Sequence, residues 1–532
     1  MKNSILDFFD ITVKNYPNNI AVGDVDGSID YKTVYHQSQS IATAIAKNNF
    51  LKKPVAILMS RGKMAVAAML GVLYSGNFYI VLDSESPIDR LSKIINTLSP
   101  AAIIYEQDLK DKASHLAKDI IKINVEKVIK NAVDDKLLAK IRSQILITDP
   151  AYSIFTSGST GIPKGALLTH QNVISYMDWF INEFKITDKT VFGSQTPLYF
   201  SMSVSDLFAS IFTGGEYQMI PKEHFTFPVN LINFMNDRKV NTIYWVPSAF
   251  GVVAKMDLFK YCKPDFLEKV FFAGEVMPIK YLNYWKFHFP ALLYANLFGP
   301  TETTDICSFY VVDRDVSETN TLPIGVACRN SHLFVVDEHG KEITDSRPGE
   351  LFVAGPTVAI GYYNNTEKTK EVFVQNPLQN DYPEIVYKTG DIVRRNKNGE
   401  FEYMGRKDFQ IKHMGYRIEP GEIENAFGSV AGIGTTVCFY DVSNDSIVLA
   451  FEGDENLEES LILTAQNTLP VYMQPNQYRA FDIFPKNQNG KIDRKLIETI
   501  ISDRQGEKSW IKFTKYSQQS FPAKTAQLQP IL

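Results

Sequence analysis

Apolar runs of β-strand length alternate with helix-like segments through the first half of the chain. Residues 54–59 form such a run, residues 64–74 read as a helix, and residues 78–82 form a second apolar run. This alternation is typical of strand–helix–strand units, in which helices cover a largely parallel sheet. Three further runs have the character of buried strands: residues 101–105, 242–246 and 269–273. The pattern predicts an α/β fold.

The pattern changes at about Pro323 to strands separated by turns, for example at residues 337–341 and 395–400. Such spacing predicts an antiparallel, β-rich subdomain. A polar junction, residues 405–408, then precedes a compact segment, and the end of the chain is rich in Gln, Ser, Lys and Pro. We therefore expect a large N-terminal domain of layered α/β subdomains plus the β-rich subdomain, a small α+β C-terminal domain and a loosely ordered tail. Their bounds are 1–404, 409–500 and 501–532.

Composition narrows the class of protein. A chain of 532 residues with 45% hydrophobic and 22% charged residues is typical of a globular protein with more than one domain. Its formal net charge of −5 gives no electrostatic reason to expect a nucleic-acid or membrane partner. We expect a cytoplasmic protein with reduced thiols, because no signal-peptide pattern or apolar span of about 18 residues is present and the cysteines are far apart. They are Cys262, Cys307, Cys328 and Cys438.

The candidate chemistry begins in residues 152–165, where an apolar strand leads into a loop of small residues, hydroxyls and one lysine. Such a loop can offer backbone N–H groups, hydroxyls and an ammonium to phosphate oxygens. Lys164 is followed by Gly165, so the G-x-x-x-x-G-K-[ST] pattern of P-loop enzymes is absent. Taken alone, the loop is either a phosphate site or an ordinary turn. The candidate phosphate ligands are Thr156, Ser157, Gly158, Ser159, Thr160, Gly161 and Lys164.

This loop resembles the phosphate loop of the adenylate-forming superfamily, which includes acyl-CoA synthetases, luciferases and nonribosomal-peptide adenylation domains. The superfamily's other motifs follow in its order, and the resemblance extends from about Asp7 to Leu496. They are residues 296–304, 349–351 with 361–364, 387–391, 405–412 and 489–494. The resemblance implies ATP and Mg²⁺ as cofactors, and an ATP-dependent, AMP-forming acid–thiol ligase as the activity.

The resemblance also implies roles for the nucleotide site. Glu302 would hold Mg²⁺, since hard cations prefer carboxylate and phosphate oxygens, and Asp391, near Arg406, would accept the ribose hydroxyls. Phe298 would stack on adenine while Asn296 meets its polar edge. Without the motifs, Glu302 would be interpreted as a solvated acid, Asp391 as a turn residue and Phe298 as a core aromatic side chain. Gly299 and Thr301 belong to the same implied site.

Catalysis is assigned by the same resemblance to Lys491, Glu302, Lys164 and Thr156. Lys491 would bridge the substrate carboxylate and the α-phosphate as charge develops. The C-terminal domain would rotate about a hinge at residues 405–408, centred on Asp408, between adenylation and thiol transfer.

The sequence defines the carboxylic acid substrate less clearly than the nucleotide site. Within the superfamily the chain is most similar to amino-acid adenylation domains, including D-alanine–carrier-protein ligases, through residues 75–83. Those relatives pair the substrate's ammonium with an aspartate at the position of Ser201. Serine brings no charge, and a buried ammonium without a counter-ion is unfavourable. Either the ammonium is satisfied elsewhere, by Asp305 or Asp206, or the substrate has none.

Alignment with these relatives gives a compact, largely apolar pocket, which favours a small substrate. Its predicted residues are Ser201, Met202, Ser205, Trp245, Phe271, Ala273, Leu297, Asp305 and Ile306. Trp245 and Asp206 could equally be structural, and Asp305 could be either. We expect activation of a small amino or imino acid, such as alanine, proline or a β-amino acid, and transfer to the phosphopantetheine thiol of a separate carrier protein. The alternative is a non-amino carboxylic acid transferred to CoA or an acyl carrier protein.

Overall fold

A computed structural model describes residues 3–116, 120–158, 162–315, 322–428, 430–486 and 492–503. These residues fall into two compact units, whose boundary in the main chain lies between Ile418 and Glu419. The first unit holds the residues up to Gly158 together with Ile162–Ile418. Within the described ranges, no helix combines the length and apolarity needed to cross a membrane.

Helices occur throughout both units. Those of the first unit are α1 (Ile5–Asn15), α2 (Tyr31–Ala46), α3 (Lys63–Tyr74), α4 (Ile88–Leu98), α5 (Lys110–Leu116), α6 (Val125–Val128), α7 (Asp135–Arg142), α8 (His170–Phe184), α9 (Ser203–Thr213), α10 (Glu223–Thr226), α11 (Pro228–Asp237), α12 (Pro247–Lys255), α13 (Ile279–His288) and α14 (Thr366–Val372). Those of the second unit are α15 (Pro420–Ala426), α16 (Glu458–Thr468) and α17 (Arg494–Asp503).

Strands of the first unit form three larger sheets and a hairpin. They are β1 (Ile20–Asp24), β2 (Gly27–Asp30), β3 (Pro54–Leu58), β4 (Phe78–Leu82), β5 (Ala102–Tyr105), β6 (Ile121–Asn124), β7 (Pro150–Thr156), β8 (Lys164–Thr169), β9 (Val191–Ser194), β10 (Glu216–Met219), β11 (Thr242–Trp245), β12 (Lys269–Phe272), β13 (Leu293–Phe298), β14 (Ser308–Val311), β15 (Val326–Ala327), β16 (His332–Val336), β17 (Gly349–Ala354), β18 (Phe373–Gln375), β19 (Ile385–Arg395), β20 (Phe401–Arg406), β21 (Ile411–His413) and β22 (Tyr416–Ile418). The second unit contains β23 (Thr436–Asp441), β24 (Ser446–Glu452) and β25 (Gln477–Phe481).

The first sheet carries the segment between Thr156 and Lys164, which we call the lysine loop. Among the described residues it has six strands in the order β6-β5-β3-β4-β7-β8, and its first five strands run parallel. All residues of β3 are buried, as expected for a parallel strand covered on both faces. The last strand, β8, is antiparallel to β7. The loop therefore connects the carboxyl end of β7 to the start of β8.

The second sheet gathers several predicted site residues at one edge. In the described part of the chain it has nine strands, ordered β15-β14-β13-β12-β11-β9-β10-β1-β2. Strands β9 to β13 are mutually parallel. Since the carboxyl ends of parallel strands share an edge, the segments that follow β9, β11, β12 and β13 converge there.

The β-rich subdomain is antiparallel, with β16, β17, β18 and β20 arranged around the long strand β19. Strands β21 and β22 form a separate hairpin. In the second unit, β24 lies between β23 and β25 and carries a small apolar core with α17. The predicted α/β fold with a β-rich subdomain and a small α+β C-terminal domain is confirmed.

Candidate active site

Gly158 lies against the backbone of Ile162. A Cβ atom added to Gly158 would lie 2.0 Å from the carbonyl oxygen of Ile162, so this close approach requires glycine. Thr156 ends β7 with a buried hydroxyl that has no hydrogen-bond partner in the described structure. Lys164 opens β8 and is buried, with its Nζ 5.1 Å from the centre of the Tyr362 ring. The loop thus presents an unused hydroxyl and a lysine on the two strands that flank it.

Glu302 is a fully buried carboxylate in the short 3₁₀ helix Thr301–Thr303, which follows β13. The Tyr362 hydroxyl donates to one carboxylate oxygen at 2.5 Å, and the Arg417 guanidinium donates to the other at 2.7 Å. Burial alone would raise the pKa of Glu302, but the charges of Arg417 and Lys164 outweigh it and lower this pKa to about 2. Glu302 is therefore ionised at neutral pH.

Asp391 and Arg406 face each other across the register of β19 and β20. The Arg406 guanidinium donates to Asp391 at 3.1 Å and to Asp408 at 2.9 and 2.7 Å. The Lys412 ammonium is 4.0 Å from Asp391 and 5.1 Å from the centre of the Phe298 ring. The structure therefore brings the predicted ribose acceptor and the predicted adenine-stacking ring to the same lysine.

Two other residues of the predicted nucleotide site lie beside Phe298. Asn296, on β13, donates from its side chain to the carbonyl oxygen of Pro323 at 2.8 Å. A Cβ on Gly299 would lie 2.2 Å from the carbonyl oxygen of Asp305, so the chain passes too closely for any side chain there. The backbone after β13 is thus tightly folded around the predicted site.

The β21–β22 hairpin is held against these residues at several points. Its Gly415 N–H donates to Glu275 at 2.8 Å, and the Ser157 hydroxyl donates to the Arg417 carbonyl at 2.7 Å. The Tyr416 ring packs edge-on against Phe200, with centroids 5.2 Å apart. Together with Arg417 and Lys412, these contacts place the hairpin beside both predicted nucleotide acids.

Asp305 forms the centre of the predicted acid pocket. It is buried, and one carboxylate oxygen accepts hydrogen bonds from Ser205 at 2.6 Å, Tyr244 at 3.1 Å and Tyr176 at 3.4 Å. Burial raises the pKa of Asp305 to about 6, opposed by the Ser205, Tyr244, Ser201 and Tyr176 hydroxyls. Burial and hydroxyl donors, rather than a neighbouring cation, therefore have the largest effects on the pKa of Asp305.

Strand alternation separates Tyr244 from Trp245, which sequence alignment had placed in the pocket. The Trp245 ring lies in an aromatic cluster with Phe250 and Trp285, and its indole N–H donates to the Gly193 carbonyl at 2.7 Å. Tyr244 instead faces Asp305. Trp245 therefore packs among aromatic side chains, which is the structural alternative given for it above. The alternation of side chains along β11 could have identified Tyr244 as the residue on the opposite face.

The remaining predicted pocket residues are buried or partly buried. Phe271 pairs in register with Tyr244, so the two side chains share one face of the sheet. Leu297 occupies that same face by alternation along β13, whose Ala295 pairs with Phe271. Ala273 follows the end of β12 and is buried. Met202 and Ile306 are also buried.

Four predicted residues lie outside the described structure: Ser159, Thr160, Gly161 and Lys491. Three residues now near the site, Tyr176, Glu275 and Tyr403, carried no recognisable sequence motif. Tyr362 stood within the motif at residues 361–364, whereas Arg417 lay outside the motifs, and the sequence gave no indication that both would contact Glu302.

The residues present suit Mg²⁺ with a nucleotide. Glu302 supplies one ionised carboxylate, and the described residues contain no group of three or more His, Cys, Asp or Glu side chains arranged for a metal. Mg²⁺ is commonly held by one or two carboxylates together with substrate phosphates and water. The unpartnered Thr156 hydroxyl and the Lys164 ammonium are donors suited to those phosphates.

Comparison with known proteins identifies the family. Residues 9–363 match the family described as AMP-binding enzyme. The chain is 30% identical over 512 residues to a D-alanine–D-alanyl carrier protein ligase of Lactiplantibacillus plantarum, covering 93% of this chain and 99% of that protein. It is 28% identical over 504 residues to the polyketide synthase PksN of Bacillus subtilis, covering 93% of this chain but only 9% of that protein.

A solved structure gives the same fold. The Vibrio cholerae adenylation domain AlmE, in complex with glycyl-adenosine-5'-phosphate, has a TM-score of 0.79 and 19% sequence identity, covering 95% of this chain and 98% of that one. The fold and motifs define an adenylate-forming enzyme that activates an acid. The chain belongs to the AMP-binding enzyme family.

Proposed function

We propose that this enzyme activates a small amino or imino acid as an aminoacyl-adenylate and passes the acyl group to the phosphopantetheine thiol of a separate carrier protein. The observation that carries the proposal is the buried carboxylate of Asp305, which is surrounded by hydroxyls. Similarity to a D-alanine–D-alanyl carrier protein ligase along nearly its whole length supports the same class of substrate and acceptor.

Asp305 has the properties of an ammonium acceptor. With a pKa of about 6, it is mostly ionised at neutral pH while buried, an arrangement that a cationic ligand would stabilise. The Ser201 hydroxyl contributes to this pKa, so Asp305 is close to the position where amino-acid-activating relatives carry their aspartate. A carboxylate at this position can pair with an α-ammonium, with an amine in a ring or with an amine on a carbon further from the carboxyl group.

In the first reaction, a carboxylate oxygen of the acid attacks the α-phosphorus of ATP and pyrophosphate leaves. Lys164 and the Thr156 hydroxyl bind phosphate oxygens, Phe298 stacks on adenine, and Asp391 accepts the ribose hydroxyls. Glu302 would hold Mg²⁺, which would neutralise charge on the phosphates. Lys491 neutralises the charge that develops between the carboxylate and the α-phosphate.

In the second reaction, the carrier's thiolate attacks the acyl carbon of the mixed anhydride, and AMP leaves as the thioester forms. No nucleophile from the enzyme is required, so positioning and charge supply the catalysis. We place the hinge for a domain rotation between the two reactions at Asp408, within residues 405–408. Residues near Lys412 and Gly415 would then serve the thiol step.

ATP–pyrophosphate exchange tests the proposal. The panel pairs each amino or imino acid with an amine-free acid of similar size: alanine with lactate, β-alanine with 3-hydroxypropionate, and proline with cyclopentanecarboxylate. We expect exchange with at least one amine-bearing acid and loss of that exchange in Asp305→Asn. Exchange confined to the amine-free acids would overturn the proposal.

The second candidate is a ligase for a non-amino carboxylic acid, with transfer to CoA or an acyl carrier protein. The uncharged Ser201 side chain favours it, because no ammonium partner is retained at that position. AMP release measured separately with CoA and with a phosphopantetheinylated carrier distinguishes the two acceptors.

A further inference from the structure

A second buried carboxylate lies beside the acid pocket. Asp206, on α9, is fully buried, and neither of its oxygens has a hydrogen-bond partner in the described structure. Two buried hydroxyls lie near it, those of Ser194 and Tyr217. The Ser194 hydroxyl lies close enough to lower the pKa of Asp206, yet it forms no well-aligned hydrogen bond with it. Buried polar groups are normally satisfied, so this cluster is suited to a ligand.

The cluster is contiguous with the pocket around Asp305. Asp206 directly follows Ser205, which donates to Asp305 at 2.6 Å. Ser194 pairs in register with Tyr244, which also donates to Asp305, and residues paired in neighbouring strands place their side chains side by side. The Asp206 and Asp305 carboxylates are also close enough to interact electrostatically.

The two carboxylates differ in their surroundings. Asp305 is governed by burial and hydroxyl donors. Asp206 also feels the positive charge of Arg61, whose guanidinium donates to the Ser194 and Ile220 carbonyls at 2.8 Å and whose Nε is buried without a partner. A cation already faces the second cluster, so it favours a neutral group that both donates and accepts hydrogen bonds.

We infer that Asp206, Ser194 and Tyr217 form a second recognition subsite, which binds the side-chain hydroxyl of a small hydroxy-amino acid whose ammonium is bound by Asp305. This inference rests on the proposed function and narrows its substrate class. A hydroxyl matches the cluster because it offers one donor and two acceptor sites.

The test compares serine with alanine, which lacks only the hydroxyl, in ATP–pyrophosphate exchange, using both enantiomers of each. 2,3-Diaminopropionate replaces the hydroxyl by an amine, and glycerate replaces the ammonium by a second hydroxyl. We expect kcat/KM for serine to exceed that for alanine by about tenfold or more, since a site built for a hydroxyl rejects the analogue without it. Asp206→Asn should reduce this ratio to near one.

A matched control is Ser210→Ala on the same helix, because the Ser210 hydroxyl donates to the Asp206 carbonyl within α9; this variant should keep the ratio. If Asp206→Asn fails to fold, Tyr217→Phe and Ser194→Ala each remove one hydroxyl of the subsite, and each should lower the ratio.

Failure of the subsite and failure of the proposed function give different results. Equal activity with serine and alanine, preference for the diamino acid, or an equal loss of both substrates in Asp206→Asn would overturn the subsite and leave the proposed function in place. Activity with glycerate but with no amine-bearing acid would overturn the proposed function itself.

Discussion

Replacing Asp305 with asparagine should strengthen the fold while weakening substrate binding. Each pKa unit corresponds to about 1.4 kcal/mol, so the rise in the pKa of Asp305 from 3.8 to about 6 makes ionisation of this carboxyl roughly 3 kcal/mol less favourable in the folded protein. Asparagine carries no charge and its oxygen still accepts hydrogen bonds. Each hydroxyl contact it loses is worth about 1 kcal/mol. We expect a net gain in folding free energy of about 1–2 kcal/mol at pH 8.

The gain should depend on pH in a defined direction. Because the folded-state pKa is the higher one, the native protein binds more protons than the unfolded chain between about pH 4 and pH 6, and wild-type stability falls as pH rises through that window. The variant lacks this titration. Its advantage should be largest above pH 6 and should disappear as pH approaches the unfolded pKa of 3.8.

Binding should change in the opposite sense. Removing one partner of a buried ion pair costs about 3–5 kcal/mol, so KM for an amine-bearing acid should rise by about 100-fold or more, while KM for ATP should stay near the wild-type value. Thermal unfolding at pH 5 and pH 8, together with exchange kinetics, measures both effects. Asp26→Asn, at an exposed turn between β1 and β2, controls for loss of a charge. A destabilised variant at pH 8, or an unchanged KM for the acid, would refute this account of Asp305.

The other predictions concern the nucleotide site. Glu302→Gln and Arg417→Gln should each destabilise the fold by about 3 kcal/mol, because each removes one partner of a buried ion pair. The double variant should lose clearly less than the sum in chemical unfolding, whereas additive losses would deny the coupling. Gly158→Ala should abolish pyrophosphate exchange, since its Cβ would lie 2.0 Å from a backbone oxygen, and Gly428→Ala, whose Cβ would meet a backbone oxygen at 3.6 Å, should remain active. Lys491→Ala should abolish adenylate formation but spare transfer from supplied acyl-adenylate to the thiol; equal loss of both steps would contradict the assigned role.

The sequence predicted the positions of the strands well because apolar runs and turn residues are local features. Apolar runs at residues 54–59, 78–82 and 242–246 became β3, β4 and β11 within one residue at either end. Buried parallel strands leave little freedom for other arrangements, since both faces must be apolar. Turn residues marked the β-rich subdomain for the same local reason.

The direction in which side chains point was the feature that the sequence predicted least well. Alignment gave Trp245 for a pocket position, whereas the pleat of β11 turns Tyr244 towards Asp305. Neighbouring residues of a strand point to opposite faces, so the sequence position alone does not say which of the two faces Asp305. The partners of Glu302 were also beyond reach, because Tyr362 and Arg417 are brought to it across separations of 60 and 115 residues.

These long-range ion pairs have a consequence for nucleotide binding. Glu302, the proposed Mg²⁺ ligand, is neutralised by Arg417, and Asp391, the proposed ribose acceptor, is contacted by Arg406 and Lys412. Buried carboxylates need such counter-ions, and here the cations come from the enzyme's own chain. Two of them, Arg417 and Lys412, belong to the β21–β22 hairpin. If Glu302 holds Mg²⁺, that ion would compete with Arg417 for the charge of this carboxylate. Metal–nucleotide binding and the Arg417–Glu302 ion pair of the hairpin would therefore oppose each other.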